Sequence, residues 1–294
     1  MDMYEPLVAE RHRATLDRFV AACRADERVL AAFLGGSYAR GTVDAYSDLD
    51  LYVIMADEPY AEFFAERAAF VRQFGAPVFL EDFDAYGFDL LLFIFADGVE
   101  GELALGRAGG FQHIHGGPHV ILLDKTGILA GAAFPEQRPP PVEQVERLHG
   151  LLWWFWHDLS HHFLTPVARG RLWTAVGALE DLRRTCVDLV RLAADFTARP
   201  EGYEQVERVA PMERLRALEA TFCPPQRAAL LRAARTIIAF YREVAPPLAQ
   251  AHGIPYPAAL EQIICARLDA LDALDALDAL DALGDPTRAG APCD

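Results

Sequence analysis

The sequence predicts an α+β protein in which a small mixed-sheet domain is followed by an all-helical bundle domain. Three observations carry that expectation. Short apolar runs of strand length, bounded by glycines and turn dipeptides, fill the first half of the chain. A proline-rich stretch, PEQRPPP at residues 135–141, can continue neither a helix nor a central strand and marks a linker. Beyond it, every long segment repeats its apolar residues at helical spacing. The 294 residues suit two domains, each large enough to bury its own core.

A helix is expected from Leu7 to Asp26, with Leu16, Phe19, Val20 and Cys23 on one face. A buried strand, Val29 to Leu34, stops at Gly35-Gly36, and a second strand reads Asp48 to Met55 (DLDLYVIM). Pro59 to Phe74 returns to helical spacing, and Gly75 closes it. Strands Pro77 to Leu80 and Phe88 to Phe95 follow. Asp97-Gly98 turns the latter into a hairpin with Val99 to Leu105, and Val120 to Leu123 is the last strand. In the second half, helices are expected over Val142 to Leu164, Leu172 to Phe196, Tyr203 to Phe222, Arg227 to Val244 and from Ala258 onward. Pro166, Pro224-Pro225 and Pro246-Pro247 are expected to punctuate them.

Residues 268–283 repeat Leu-Asp-Ala. A leucine every third residue steps about 300° around a helix, so no fixed apolar face forms. Aspartate is also a poor helix former, and negative charge opposes the dipole near a helix C-terminus. The tract reads as a low-complexity extension of the last helix and carries no chemistry.

The chain holds 43 Asp+Glu against 27 Lys+Arg, a net charge of −16. Residues 1–135 hold 21 acidic and 10 basic residues, a balance of −11, whereas residues 136–268 hold 15 and 16. An acidic surface repels polyphosphate, so no nucleic-acid partner is expected; metal ions or a cationic substrate suit it better. The five cysteines are far apart, form no CxxC and read as reduced, buried thiols. The single lysine, Lys125, follows Asp124, which excludes a GxxxxGK[ST] phosphate loop. No apolar run approaches the ~18 residues of a membrane span. The N-terminus lacks the basic start and apolar stretch of a signal peptide, so a cytoplasmic location is expected.

The chemistry concentrates in residues 35–53, GGSYARGTVDAYSDLDLYV. A buried strand ends in two glycines, whose missing side chains let backbone N–H groups approach a ligand. Ser37 then opens a short helix, where free amides favour phosphate. Eleven residues on, Asp48 and Asp50 sit two apart in a strand, so both carboxylates project from one face. Oxygen ligands of this kind suit Mg²⁺, with waters and substrate phosphates completing its shell. A glycine turn or a D-x-D pair alone is ordinary surface structure; together at this spacing they point to phosphoryl or nucleotidyl transfer.

With its GS dipeptide, its spacer of ten residues and its D-x-D strand, the sequence resembles the DNA polymerase β-like nucleotidyltransferase superfamily; Arg40-Gly41 fits a GSxxRG variant of small bacterial members. The likeness extends toward the antibiotic nucleotidyltransferases, the lincosamide type in particular and the aminoglycoside type beside it. It runs through ADERVLAAFLGGS, the GEL hairpin at Gly101 to Leu103, the DKTG turn at Asp124 to Gly127 and the helix opening RGRLWTAVGALEDLRRTCVDLVR.

The resemblance implies a nucleotidyltransferase domain over residues 1–134, a helical substrate-binding and dimerisation domain over 142–283, and a tail at 284–294. It implies that Gly36, Ser37 and Arg40 bind the nucleotide, that Asp48 and Asp50 hold Mg²⁺, and that AMP passes from ATP to a hydroxyl of a small acceptor. A third carboxylate is wanted as general base. Glu102 of GEL matches the family's position; Glu100, two residues earlier on the same face, is the rival, and Asp89 a third choice. A homodimer is implied as well. A protein-modifying enzyme of toxin–antitoxin type and a non-catalytic nucleotide-binding module are the alternatives.

Other clusters read more plainly. His113, His115 and His119 in FQHIHGGPH are taken as a mobile loop over the site and not as a zinc site. The block Trp153-Trp154-Phe155-Trp156, followed by His157, His161 and His162, is taken as bundle core or a subunit interface. Arg169, Arg171, Arg183 and Arg184 are taken as solvated helix faces.

Overall fold

The computed structural model describes residues 5–84, 87–136 and 138–284. The chain divides between residues 137 and 138 into two compact units. The tail after residue 284, with Cys293, lies outside the described residues.

In the first unit, helix α1 (Glu5–Ala25) leads into β1 (Val29–Leu34), the short α2 (Gly36–Arg40), β2 (Leu49–Met55) and α3 (Tyr60–Val71). Strands β3 (Pro77–Phe83), β4 (Asp89–Phe95), β5 (Glu100–Arg107) and β6 (Val120–Asp124) complete it. They form one six-stranded sheet in the order β3-β4-β5-β2-β1-β6. Pairing is antiparallel except between β2 and β5, so the sheet is mixed. The Asp97-Gly98 turn makes β4 and β5 a hairpin, with Gly98 at φ +83°.

The alternation DLDLYVIM is the pleat of β2. Leu49, Leu51, Val53 and Met55 pack with Phe19 and Cys23 of α1 and with Phe63 and Phe70 of α3. Tyr52 and Ile54, on the other face, pack with Phe33, Ala104, Phe111, Ile114 and Phe134. Each fully buried phenylalanine contributes about 1.5–3 kcal/mol, so both faces are committed and the register of β2 cannot slip by one residue.

The second unit is helical throughout. Helix α4 (Pro141–Asp158) runs directly into a π-helical turn (Leu159–Leu164) and α5 (Thr165–Ala168). Then come α6 (Leu172–Ala194), α7 (Val206–Val209), α8 (Met212–Glu219), α9 (Arg227–Ala251) and α10 (Ala258–Gly284). The fold is therefore α+β, a mixed sheet followed by helices. No helix among the described residues is long and apolar enough to cross a membrane.

The core of the helical unit is aromatic. The Tyr241 ring stacks on Phe155 with centroids 3.8 Å apart, and its hydroxyl donates to the Leu152 carbonyl at 2.8 Å. The four-residue aromatic block thus splits: Phe155 and Trp156 are buried, whereas Trp153 and Trp154 are exposed.

Proline spacing misleads in three places. The helix expected over residues 203–222 breaks at Pro211, because a proline there removes an amide donor and holds Ala210 in extended backbone, ψ 135°. By contrast, α9 continues through Pro246-Pro247. Val244, Ala245, Leu248 and Ala249 are all buried across that pair, and their packing outweighs the lost helical bonds. Pro166 likewise sits inside α5, at its first turn, and does not end the helical run. The Leu-Asp-Ala tract extends α10, and two of its acids, Asp269 and Asp272, pair with Arg235 at 2.8 Å. Among the cysteines, Cys23 and Cys186 are buried, but Cys223 and Cys265 are only half-buried.

One consequence concerns Pro247, which is exposed within α9. Proline is ~3 kcal/mol less favourable than alanine inside a helix, partly offset by the stiffness it gives the unfolded chain. Pro247→Ala is expected to raise stability by about 1–2 kcal/mol in urea unfolding; an unchanged or lower midpoint would show that the proline is favoured where it stands.

Candidate active site

The site begins where β1 ends. Gly35 N–H donates to the Asp50 carbonyl at 3.0 Å, extending the β1–β2 ladder by one bond before the chain turns into α2. A Cβ on Gly35 would lie 2.8 Å from both the Tyr52 and His115 rings, so those rings press on bare backbone. Gly36 adopts φ +53°, and a Cβ there would lie 1.6 Å from Asp50 Oδ2. The second glycine is therefore required twice, by its left-handed conformation and by the Asp50 carboxylate that fills its side-chain space.

Helix α2 is barely one turn, closed by Gly41 at φ +69°. What it offers is not a long dipole but local amides and the Ser37 hydroxyl, which is buried and has no hydrogen-bond partner. An unpaired buried hydroxyl costs about 1–3 kcal/mol, which a ligand accepting from it would recover. Tyr38 ties α2 to α1: its hydroxyl lies 2.6 Å from Nδ1 of the buried His12. Burial and the neighbouring Arg11 lower the proton affinity of His12.

Strand pairing supplies the acids. In the parallel β2–β5 register Asp50 stands abreast of Glu102, and Leu49 abreast of Gly101. A Cβ on Gly101 would meet the Leu49 carbonyl at 2.3 Å, so β5 can lie this close only with glycine there. Burial, the negative charges of Asp50 and Asp48, and hydrogen bonding with Asp50 push the Glu102 carboxyl up to about 7. Burial and then Asp48 also raise Asp50, while Arg40 opposes the rise. Asp48 is exposed at the mouth of the cluster and acts on both through space. The trio is open: ligand atoms of Asp48, Asp50 and Glu102 do not all come within 4.8 Å of one another.

The structure separates the three candidates for the third acid. Glu102 joins the Asp48–Asp50 pair. Glu100 is exposed at the start of β5, opposite Ile94 of β4. Asp89 pairs with Leu105 near the other end of β5 and accepts a hydrogen bond from the Tyr60 hydroxyl.

Three residues in this neighbourhood carry no signal in the sequence: His12, Tyr38 and Tyr52. The FQHIHGGPH segment is not a loose loop, since Phe111 and Ile114 anchor it in the core. His115 packs against Tyr52 at 4.8 Å, and its Nε2–H donates to the Pro118 carbonyl at 2.9 Å. Burial lowers the proton affinity of His115, which fits that neutral, packed role. His119 packs on Phe134 and His113 beside Phe88, so the three histidines do not gather. Arg183 is not a solvated face either: it is buried, paired with Glu180 and seated over the Phe222 ring at 4.1 Å.

The streptomycin adenylyltransferase family model matches residues 10–270. The chain belongs to this family. As a streptomycin adenylyltransferase family member it is a nucleotidyltransferase, an enzyme whose co-substrate is a nucleoside triphosphate and whose relatives generally use a divalent metal. An aminoglycoside 6-adenyltransferase from Bacillus subtilis matches in structure with 16% identity and a TM-score of 0.41, covering 87% of this chain and 97% of that one. Cid1 in complex with its short product ApU matches with 12% identity and a TM-score of 0.27, covering 79% of this chain and 66% of that one. No curated protein sequence matches significantly.

The residues present fit the family's chemistry. The unpartnered Ser37 hydroxyl and the cradle above Gly36 suit phosphate oxygens, and an all-carboxylate donor set suits a hard cation such as Mg²⁺.

Two outcomes test the geometry. Gly36→Ala should cost about 1–3 kcal/mol and displace Asp50, abolishing transfer, whereas Gly41→Ala, strained but with open space around it, should lose stability while keeping activity. Folding raises the proton affinity of Glu102, so its contribution to stability falls as pH rises from the ordinary carboxylate range through about 7. In metal-free protein, Glu102→Gln should therefore raise Tm over the parent at pH 8 and much less at pH 4.5; equal differences at both would refute the raised affinity.

Proposed function

We propose that this enzyme transfers AMP from ATP to a hydroxyl group of a small cationic antibiotic. The observation that carries the reading is the Glu102 carboxyl held beside Asp50 with a proton affinity near neutrality, where a general base works best. Glu102 takes the proton of the acceptor hydroxyl. The acceptor oxygen bonds to the α-phosphorus as the bond from that phosphorus to the bridging oxygen breaks, and pyrophosphate carries the electron pair away. Gly36 and Ser37 hold the terminal phosphates through backbone N–H and hydroxyl donors, and Arg40 adds positive charge beside them. Asp48 and Asp50 would hold Mg²⁺, which supplies charge neutralisation on the triphosphate.

The acceptor class rests on two arguments. The family's name points to streptomycin, a cationic molecule with hydroxyl groups, and the acidic first unit is electrostatically suited to it. The near-neutral balance of residues 136–268 favours instead an acceptor with few charges, of lincosamide type. The family match spans far more of the chain than a charge count does, so streptomycin is tried first. The exposed Trp153, Trp154 and Trp173 support a homodimer, and the acidic surface speaks against nucleic-acid and membrane partners. A cytoplasmic location completes the reading.

Incubating the protein with Mg²⁺, each NTP and a panel of both antibiotic types should give, with ATP, a product heavier by one adenylyl group, AMP less water. No mass shift on any panel member, with intact ATP throughout, would defeat the reading. Asp48→Asn and Asp50→Asn should abolish turnover, since charge stabilisation at such sites is worth several kcal/mol. Glu102→Gln should lose ~10²-fold or more in kcat with nucleotide affinity nearly unchanged, whereas Glu100→Gln stays within a few-fold. A loss confined to Glu100→Gln would move the base.

A further inference from the structure

We propose that His157, Asp158 and His162 form a binding site for a divalent transition-metal ion, with Zn²⁺ the best fit, in the helical unit. One ligand atom from each lies within 4.8 Å of the other two. His157 Nδ1 is 3.0 Å from Asp158 Oδ1, and His162 Nε2 is 3.9 Å from the same oxygen. Ligands bound at about 2.0–2.2 Å around tetrahedral zinc stand roughly 3.3–3.6 Å apart, so side-chain shifts of about an ångström would close the site.

The backbone brings these residues together by an unusual route. In an α-helix, residues five apart point about 140° away from each other. Here α4 passes into the π-turn, whose i→i+5 bonding widens the helix and brings His162 back over His157, with ring centroids 5.6 Å apart. The turn is held from outside. The Thr165 amide donates to the Ser160 carbonyl, and Arg267 of α10 donates to Ser160 Oγ at 2.8 Å and to Thr165 Oγ1 at 2.9 Å. Wide turns of this kind are rare and cluster at functional sites.

The chemistry selects the ion. Two imidazoles and one carboxylate suit zinc, nickel, cobalt or copper, whereas Mg²⁺ takes oxygen ligands and belongs with the acids of the sheet unit. All three side chains are at least one-third exposed, so a cation reaches them without opening the fold. Three protein ligands would leave a coordination position open; the His161 ring lies nearby, centred 4.8 Å from that of His162. A bound ion would neutralise Asp158 and clamp the end of α4 to the π-turn.

The test is a Zn²⁺ titration of the full chain in excess Mg²⁺, read by competition with a chromophoric chelator. One equivalent should bind, at least ~10-fold more weakly in His157→Ala and in His162→Ala, and unchanged in His149→Ala and Asp50→Asn. Substituting Co²⁺ in the unaltered protein should give a visible ligand-field band indicating nitrogen ligation, which reads the site without any mutation. Zinc affinity unaltered by His157→Ala and His162→Ala would overturn the proposal. So would binding lost with Asp50→Asn, an equal loss in His149→Ala, or a cobalt spectrum of water and carboxylate oxygen alone. None of these outcomes bears on nucleotidyl transfer, which is assayed separately.

Discussion

The parallel pairing of β2 with β5 governs the rest of the sheet unit, because it sets Asp50 abreast of Glu102 with Asp48 close by. Two ionised carboxylates 4 Å apart repel by about 4 kcal/mol at an effective dielectric of ~20, a large fraction of a domain's stability. The fold lessens that cost by raising the proton affinity of Glu102, through burial and the charges of Asp50 and Asp48. Such an arrangement does nothing for the core. Acid pairs with perturbed proton affinities of this kind cluster at functional sites.

Other features follow from making room for this pair. Gly36 lacks a side chain where the Asp50 carboxylate stands, and Gly101 lacks one where β5 closes on the Leu49 carbonyl. The two faces of β2 divide the labour. One is dry and packs on α1 and α3, while the other carries Asp50 and then Tyr52, walled by His115 and Phe33. The His12–Tyr38 contact fixes α2 against α1, so the glycine turn rests on a rigid support and not on a free loop.

The helical unit is stabilised by different means. Phe155, Trp156 and Tyr241 form a stacked and edge-on cluster at its centre. That packing carries α9 through two consecutive prolines, whereas the single Pro211, with less buried surface around it, breaks a helix. Arg235 reaches the repeat tract through Asp269 and Asp272, so at least the start of that tract is part of the fold.

Much of the protein was determined by sequence alone. Period-two runs ending in glycine or Asp-Gly located the six strands to within a few residues, because pleat and turn chemistry are local. The expectation of phosphate and metal chemistry in the Gly35–Asp50 segment is local for the same reason: its glycines, hydroxyl and acids are close in the chain. The choice of Glu102 over Glu100 was not local. Periodicity put both on one face, and only the β2–β5 register, a contact between segments fifty residues apart, set one beside Asp50 and left the other exposed. His12, Tyr38 and Tyr52 were silent in sequence because each acts through a distant partner. The grouping of His157 with His162 likewise needed the π-turn, since five-residue spacing in an ordinary helix would have held them apart. Local periodicity determines elements and motifs; which side chains finally meet is decided by strand register and helix winding, which depend on packing across the whole unit.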